Sequence, residues 1–404
     1  MAATRAHEAN ATQRISRAWW GTMALFLVHG VIVATWVSRI PAVQAALGLN
    51  NGVLGLALLG SAVGAVCTIP LAGWLVTRYG SKTVSAVSSL AFSTAVILPG
   101  LATNAFSLAA ALFFFGSTAA AMDVSMNAHG VDVEKALGRP TMSRFHGMFS
   151  IGGMAGAGIG GIAATGGVKP LEHFVACALL CLAVALGIWP MLLDTRTDAP
   201  SAGHRLPLRK IPRVLLALSA IGFCILLSEG AMADWTAVYF KQALKAGPGT
   251  AAAGYAVFSA AMAIFRLLGD LITARLGPVR TVRTGSLVAA FGLFSALCMS
   301  VPGFALPGFA AVGAGLSVII PLVFGSGGRV ESVSPGAGIA TVTGLGYIGF
   351  LVGPPTIGFL AQLFTLRYAL GLVVGCCLVS AMLSGSLGRL RAHIPAPPVP
   401  EVHL

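Results

Sequence analysis

Three carboxylates stand inside stretches of this chain that are otherwise apolar. Asp123 and Asn127 close the run that begins near Ala105, and their four-residue spacing puts both on one helix face. Ser228-Glu229-Gly230-Ala231-Met232-Ala233-Asp234-Trp235 sets two more acids in another run. Ionisable groups in such surroundings are costly to keep and mark solute or ion pathways. The chemistry open to them is the uptake and release of a proton as their surroundings become alternately wet and dry, or the binding of a solute; a lasting hydrogen bond to a neighbouring helix is the structural alternative. Glu229 and Asp234 are five residues apart, roughly 140° round a regular helix, so they need not share a face. His29, in an earlier run, can donate or accept a proton near neutral pH and suits a cavity wall, or else is a satisfied structural histidine. No metal-ligand spacing surrounds it. Tyr347 offers a hydroxyl from the far half of the chain. No nucleophile is paired with a base, so an enzyme is not expected. With no phosphate-binding loop, nucleotide hydrolysis is not an evident energy source, and neither cofactor nor metal is expected.

The elements that must hold these groups follow from composition. Of 404 residues 56% are hydrophobic and 9% charged, with mean hydropathy +0.88; soluble domains carry about 25% charged residues. Apolar runs long enough to cross about 30 Å of hydrocarbon lie near 18–38, 52–75, 82–101, 105–128, 146–165 and 172–193, then near 213–238, 251–274, 283–302, 306–326, 337–361 and 367–388. Twelve spans put both termini on one side. With that side inside, 19 of the 25 lysines and arginines fall on inner segments, 5 on outer ones, and Arg266 lies within a span. The positive-inside rule thereby explains the net charge of +13 without nucleic acid. The first 17 residues are polar and basic, unlike a cleavable signal. All seven cysteines fall in apolar runs and read as small core residues. At about 1.5 Å per residue, Glu229 lies roughly 24 Å from Arg213, in the outer half, and Asp123 roughly 27 Å from Ala105, near the inner interface. Trp19, Trp20, Trp36 and Trp235 are expected as interfacial anchors, with closure of the outer mouth as a second role for the last two.

The polar segment 194–212 divides the chain. The expected organisation is a cytoplasmic tail (1–17), a six-helix bundle (18–193), a cytoplasmic linker (194–212), a second six-helix bundle (213–388) and a cytoplasmic tail (389–404). A shift of 197 residues superposes the halves at four places: Arg78 and Gly80 on Arg275 and Gly277; Gly116 on Gly313; Gly130, Val133 and Glu134 on Gly327, Val330 and Glu331; and Gly147, Ile151, Gly152, Gly156 and Gly161 on Gly344, Ile348, Gly349, Gly353 and Gly358. One offset serving four sites indicates a duplication. Arg78 with Glu134 and Arg275 with Glu331 are then candidate ion pairs of an inner gate, beside which His146 opens the fifth span. The glycine ladders read as close helix packing, with a share in rocking.

Duplicated halves, a central loop and the turn Gly73-Trp74-Leu75-Val76-Thr77-Arg78-Tyr79-Gly80-Ser81-Lys82 together resemble the major facilitator superfamily (MFS) over residues 15 to 390. Thr77 stands where that family has an aspartate, and Ala274 occupies the second copy. MDVSMNAHGVDVEKALGRP, SRFHGMFSIGG, SEGAMADWTAVYF and GYIGFLVGPPTIGFLA are similar to a bacterial inner-membrane branch of it. The resemblance implies an all-α membrane protein of 12 transmembrane helices in two pseudo-symmetric six-helix bundles. It implies a secondary active transporter that moves a small solute by alternating access in the bacterial inner membrane; the buried carboxylates add proton coupling, and the basic excess on the inner segments sets both termini in the cytoplasm. Two alternatives stay open. A proton antiporter exporting amphipathic compounds would need an apolar, aromatic cavity, whereas a polyol symporter would need more asparagine and glutamine than the spans offer. A non-transporting sensor would be expected to add a soluble domain.

Overall fold

The computed structural model describes residues 2–139, 141–194, 211–330 and 333–389. Twelve helices long and apolar enough to cross a membrane are present among them: α1 (Thr12–Ala46), α2 (Asn51–Tyr79), α3 (Ser81–Leu101), α4 (Ala105–Leu137), α5 (Met142–Thr165), α6 (Pro170–Met191), α7 (Arg213–Gln242), α8 (Pro248–Leu267), α9 (Pro278–Cys298), α10 (Pro302–Gly327), α11 (Pro335–Leu363) and α12 (Leu366–Gly388). Their starts carry ordinary signals. The Asn50 side chain accepts from Val53 N at 2.9 Å, and Asn104 and Ser107 form a reciprocal capping box. Proline opens α6, α8, α9, α10 and α11, where its missing N–H costs nothing. The helix of α1 is continuous back to Ala2, so the polar residues ahead of the first apolar run prolong that helix. Most of the expected linker (195–210), Glu331 and residues beyond Arg389 lie outside the described residues.

The 197-residue repeat is also a repeat of geometry. Gly80 (φ 83°) and Gly277 (φ 74°) share a left-handed conformation that other residues adopt only with strain, at the turns leading into α3 and α9. A methyl added to Gly116 would strike the Ser61 carbonyl oxygen, joining α4 to α2; one added to Gly313 would strike the Phe258 carbonyl oxygen, joining α10 to α8. Gly152 meets the Leu27 carbonyl between α5 and α1, and Gly349 the Phe223 carbonyl between α11 and α7. Small residues thus let backbones touch where apolar burial alone provides no drive between helices in lipid.

Two seams join the halves. Along one, α5 lies on α8: a methyl at Gly153 would fall 3.0 Å from Ser259 Oγ, and one at Gly161 would fall 3.1 Å from Ala252 Cβ. Along the other, α2 meets α11 at one end only. A methyl at Gly55 would lie 2.6 Å from the Pro354 carbonyl oxygen, and one at Gly358 would lie 3.0 Å from Gly55 Cα. Five turns along α2, on the same face, Gly73 would meet nothing within 4 Å, nor would Gly344 on α11. The two helices therefore touch near the face on which α1 and α7 end and stand apart toward the face that carries α1's start.

The touching end is tied by three amides. Gln44 Nε2 donates to Asn51 Oδ1 at 2.9 Å, and Asn51 Nδ2 to Gln242 Oε1 at 3.0 Å. Gln242 Nε2 returns the bond to Gln44 Oε1 at 3.0 Å and to Asn51 Oδ1 at 3.1 Å. This ring links the ends of α1 and α2 to the end of α7, across the two halves.

Candidate functional site

Beneath the amide ring, between the halves, lies a cavity of about 420 Å3 walled by α1, α2, α4, α7 and α11. Trp36, Phe115, Phe350 and a set of valines, alanines and leucine make most of its surface; the polar side chains on it are His29, Ser61, Asp123, Asp234, Thr343 and Tyr347. Five of the residues singled out by spacing therefore fall into two groups. Asp123, Asp234, His29 and Tyr347 line the cavity, while Glu229 does not. Its Oε1 is shut away from solvent with no hydrogen-bond partner among the described residues, within electrostatic reach of Arg266. The roughly 140° between Glu229 and Asp234 turns one of them to the cavity and the other behind it.

The helix that carries Asp123 is longer than its apolar run. Instead of ending near residue 128, α4 runs on to Leu137, leaving about four more turns, roughly 21 Å, beyond Asp123. The acid is thus well inside the helix, away from its C-terminal end. Asn127 Nδ2 donates to the Asp123 backbone oxygen at 2.8 Å and to its Oδ1 at 3.1 Å, so the amide holds the carboxylate without lining the cavity. His29 Nε2 lies 3.3 Å from the Ala119 carbonyl oxygen, a contact that puts the ring proton on Nε2. Its Nδ1 is unpartnered among the described residues, and the ring packs 5.0 Å from Phe92 and 5.4 Å from Phe149. Trp36 and Trp235, expected at interfaces, are instead buried, Trp36 on the cavity wall. Trp20 is exposed.

At the open face, the Glu134 carboxylate accepts from Thr141 N at 2.6 Å and Met142 N at 2.9 Å, capping the start of α5. The Arg78 guanidinium lies 6.0 Å from the Tyr79 ring, and Arg275 is exposed. His146 packs edge-on against Phe26 at 5.2 Å and feels the charge of Arg266 from the other half.

Three features escaped the sequence. Ser81 Oγ donates to Asp132 Oδ2 at 2.7 Å and stands 3.1 Å from His129 Nδ1, a buried polar cluster at the start of α3. Its available signal was that Asp132 becomes Arg329 at the repeat offset. Arg266 donates to the Ser317 carbonyl at 3.2 Å and acts on both Glu229 and His146; as the one arginine that the apolar runs of the sequence enclosed it was visible but unassigned. The amide ring joins residues 198 positions apart, with no local signal.

Two related six-helix bundles around one central cavity, tied at one face and parted at the other, define a multi-pass membrane protein of the transporter type. The chain belongs to the Major Facilitator Superfamily, whose family model matches residues 19–330. It is 35% identical over 371 residues to an uncharacterised MFS-type transporter of Yersinia pestis, covering 91% of this chain and 95% of that one. It is 32% identical over 380 residues to the membrane protein MosC of Rhizobium meliloti, covering 92% and 90%. Among solved structures it shares its fold with a D-xylose-proton symporter, with a TM-score of 0.71 at 13% identity, covering 92% of this chain and 97% of that one.

Proposed function

We propose that this protein is a secondary active transporter that moves a small solute across a bacterial inner membrane by alternating access, coupled to protons. The observation that carries the reading is the cavity between the halves with one carboxylate from each, Asp123 and Asp234, on its wall. Such groups can take a proton when wetted from one side and release it when wetted from the other. That the D-xylose-proton symporter has this fold supports the same energy source here. The excess of basic residues on the segments beside the chain's start supports cytoplasmic termini; the amide ring is then on the outer side and the conformation is open inward. Arg78 with Glu134, and Arg275 with Glu331, are proposed to pair when the inner face closes, Glu134 leaving its cap on α5. His146 supports that gate, and Glu229 with Arg266 forms a second charged layer behind the cavity.

A second reading, export of amphipathic compounds by proton antiport, is favoured by the lining itself, which is aromatic and aliphatic and includes no asparagine or glutamine. Both readings meet one experiment. In proteoliposomes, a pH gradient should drive movement of a solute from a test panel against its gradient, and Asp123→Asn and Asp234→Asn should each abolish that drive. Full proton-driven accumulation in both variants would remove the coupling assignment.

A further inference from the structure

Resting on the transporter reading, we propose that the solute is an amphipathic organic cation, a lipophilic amine whose charged nitrogen sits between Asp123 and Asp234. The cavity's formal charges are of one sign. Two carboxylates face it, from α4 and α7, and no lysine or arginine is among its lining residues. His29, the one basic side chain there, spends its Nε2 on the Ala119 carbonyl. Arg266 and Glu229 stand behind the wall and present no positive charge to the interior. An anionic solute would meet only like charge. A neutral polyol would bring several hydroxyls to walls with too few partners, and each group left unsatisfied costs about 1–3 kcal/mol.

The apolar part of the lining argues in the same direction. Trp36, Phe115, Tyr347 and Phe350 supply ring faces that attract a cation and bury hydrocarbon with equal ease. The volume of about 420 Å3 lies within the roughly 300–1,000 Å3 that holds drug-sized molecules. The cation and the coupling protons would neutralise the same two carboxylates in turn, so that loading one displaces the other, which is the requirement for exchange.

The test is a matched series of 6-phenylhexylamine, 6-phenylhexan-1-ol and 6-phenylhexanoate, alike in size and hydrocarbon and differing in charge. Affinities are read from the thermal stabilisation of the purified full-length chain. The amine should bind the wild type at least about tenfold tighter than the alcohol, the gain expected of one charge-assisted contact. That preference should fall to within about twofold in Asp123→Asn and in Asp234→Asn through loss of amine affinity, while Asp123→Glu retains the preference. Equal or tighter binding of the alcohol or the carboxylate by the wild type overturns the proposal without any variant, as does the absence of amine binding. If the wild type still accumulates panel solutes under a pH gradient, that result removes only the cationic class. A wild type inert in the pH-gradient assay removes the transporter reading and this inference with it.

Discussion

Replacing Gln242 with leucine keeps the side chain's bulk and removes three hydrogen bonds, at 3.0, 3.0 and 3.1 Å, all of them between the two halves. A net hydrogen bond contributes about 0.5–1.5 kcal/mol. Gln242 and Asn51 are half-buried, so water can replace part of what is lost and the low end applies. Three bonds at about 0.5 kcal/mol give about 1.5 kcal/mol, or roughly a tenfold shift toward conformations in which this face is parted. Asn51→Leu removes two of the three, and adding it to Gln242→Leu removes no further bond between the halves, so the double variant should shift no more than about twofold beyond Gln242→Leu. The assay is the distance distribution between spin labels at Ala45→Cys and Lys241→Cys, two exposed positions beside the ring on α1 and α7, in a background free of the seven native cysteines. An unchanged distribution in Gln242→Leu, or fully additive shifts, would refute the ring as a clasp.

Two further outcomes follow from the packing and from the open face. Gly116→Val should lower the melting temperature sharply, at a cost of about 2 kcal/mol or more, because the added carbons strike the Ser61 backbone, which cannot rotate away. Gly158→Ala, where a methyl meets nothing within 4 Å, should leave it within a degree or two. At the gate, Arg78→Glu and Glu134→Arg should each impair transport; Glu134→Arg also loses the cap on α5, a cost of about 1 kcal/mol. The double reversal should restore transport but not that loss of thermal stability, whereas additive damage to transport would refute the pairing.

The spans were legible because the bilayer imposes a length and glycine at a helix crossing leaves a local mark. Gly116 and Gly313 announced their contacts through one offset before any partner was known. The length of α4 beyond Asp123 was not legible, for a reason that His129 and Asp132 make clear. Hydropathy ends where side chains turn polar, but these turns are buried against Ser81 within their own bundle, so the helix continues past the apolar signal. Likewise the five-residue spacing told that Glu229 and Asp234 diverge, while which of them meets the cavity depends on where α11 and α2 stand. Gln44 and Gln242 carry no mark at all, since a glutamine at a helix end is unremarkable until its partner arrives from the other half.

The repeat separates scaffold from chemistry. Where helices touch, the halves agree, as Gly116 with Gly313 and Gly152 with Gly349 do. Where they face the cavity or clasp each other, they differ: the offset carries Asp234 onto Val37, Asp123 onto Ile320 and Gln242 onto Ala45. Val37 itself lines the cavity as Asp234 does, so equivalent places present a charge in one half and hydrocarbon in the other. Both halves start on the same face, so the symmetry that relates them turns about the membrane normal and leaves that face open; the two ends of the cavity are built from different residues in each half. The carboxylates would meet different surroundings when open to each side, and a ligand or proton shifts a two-state equilibrium only through such a difference in affinity.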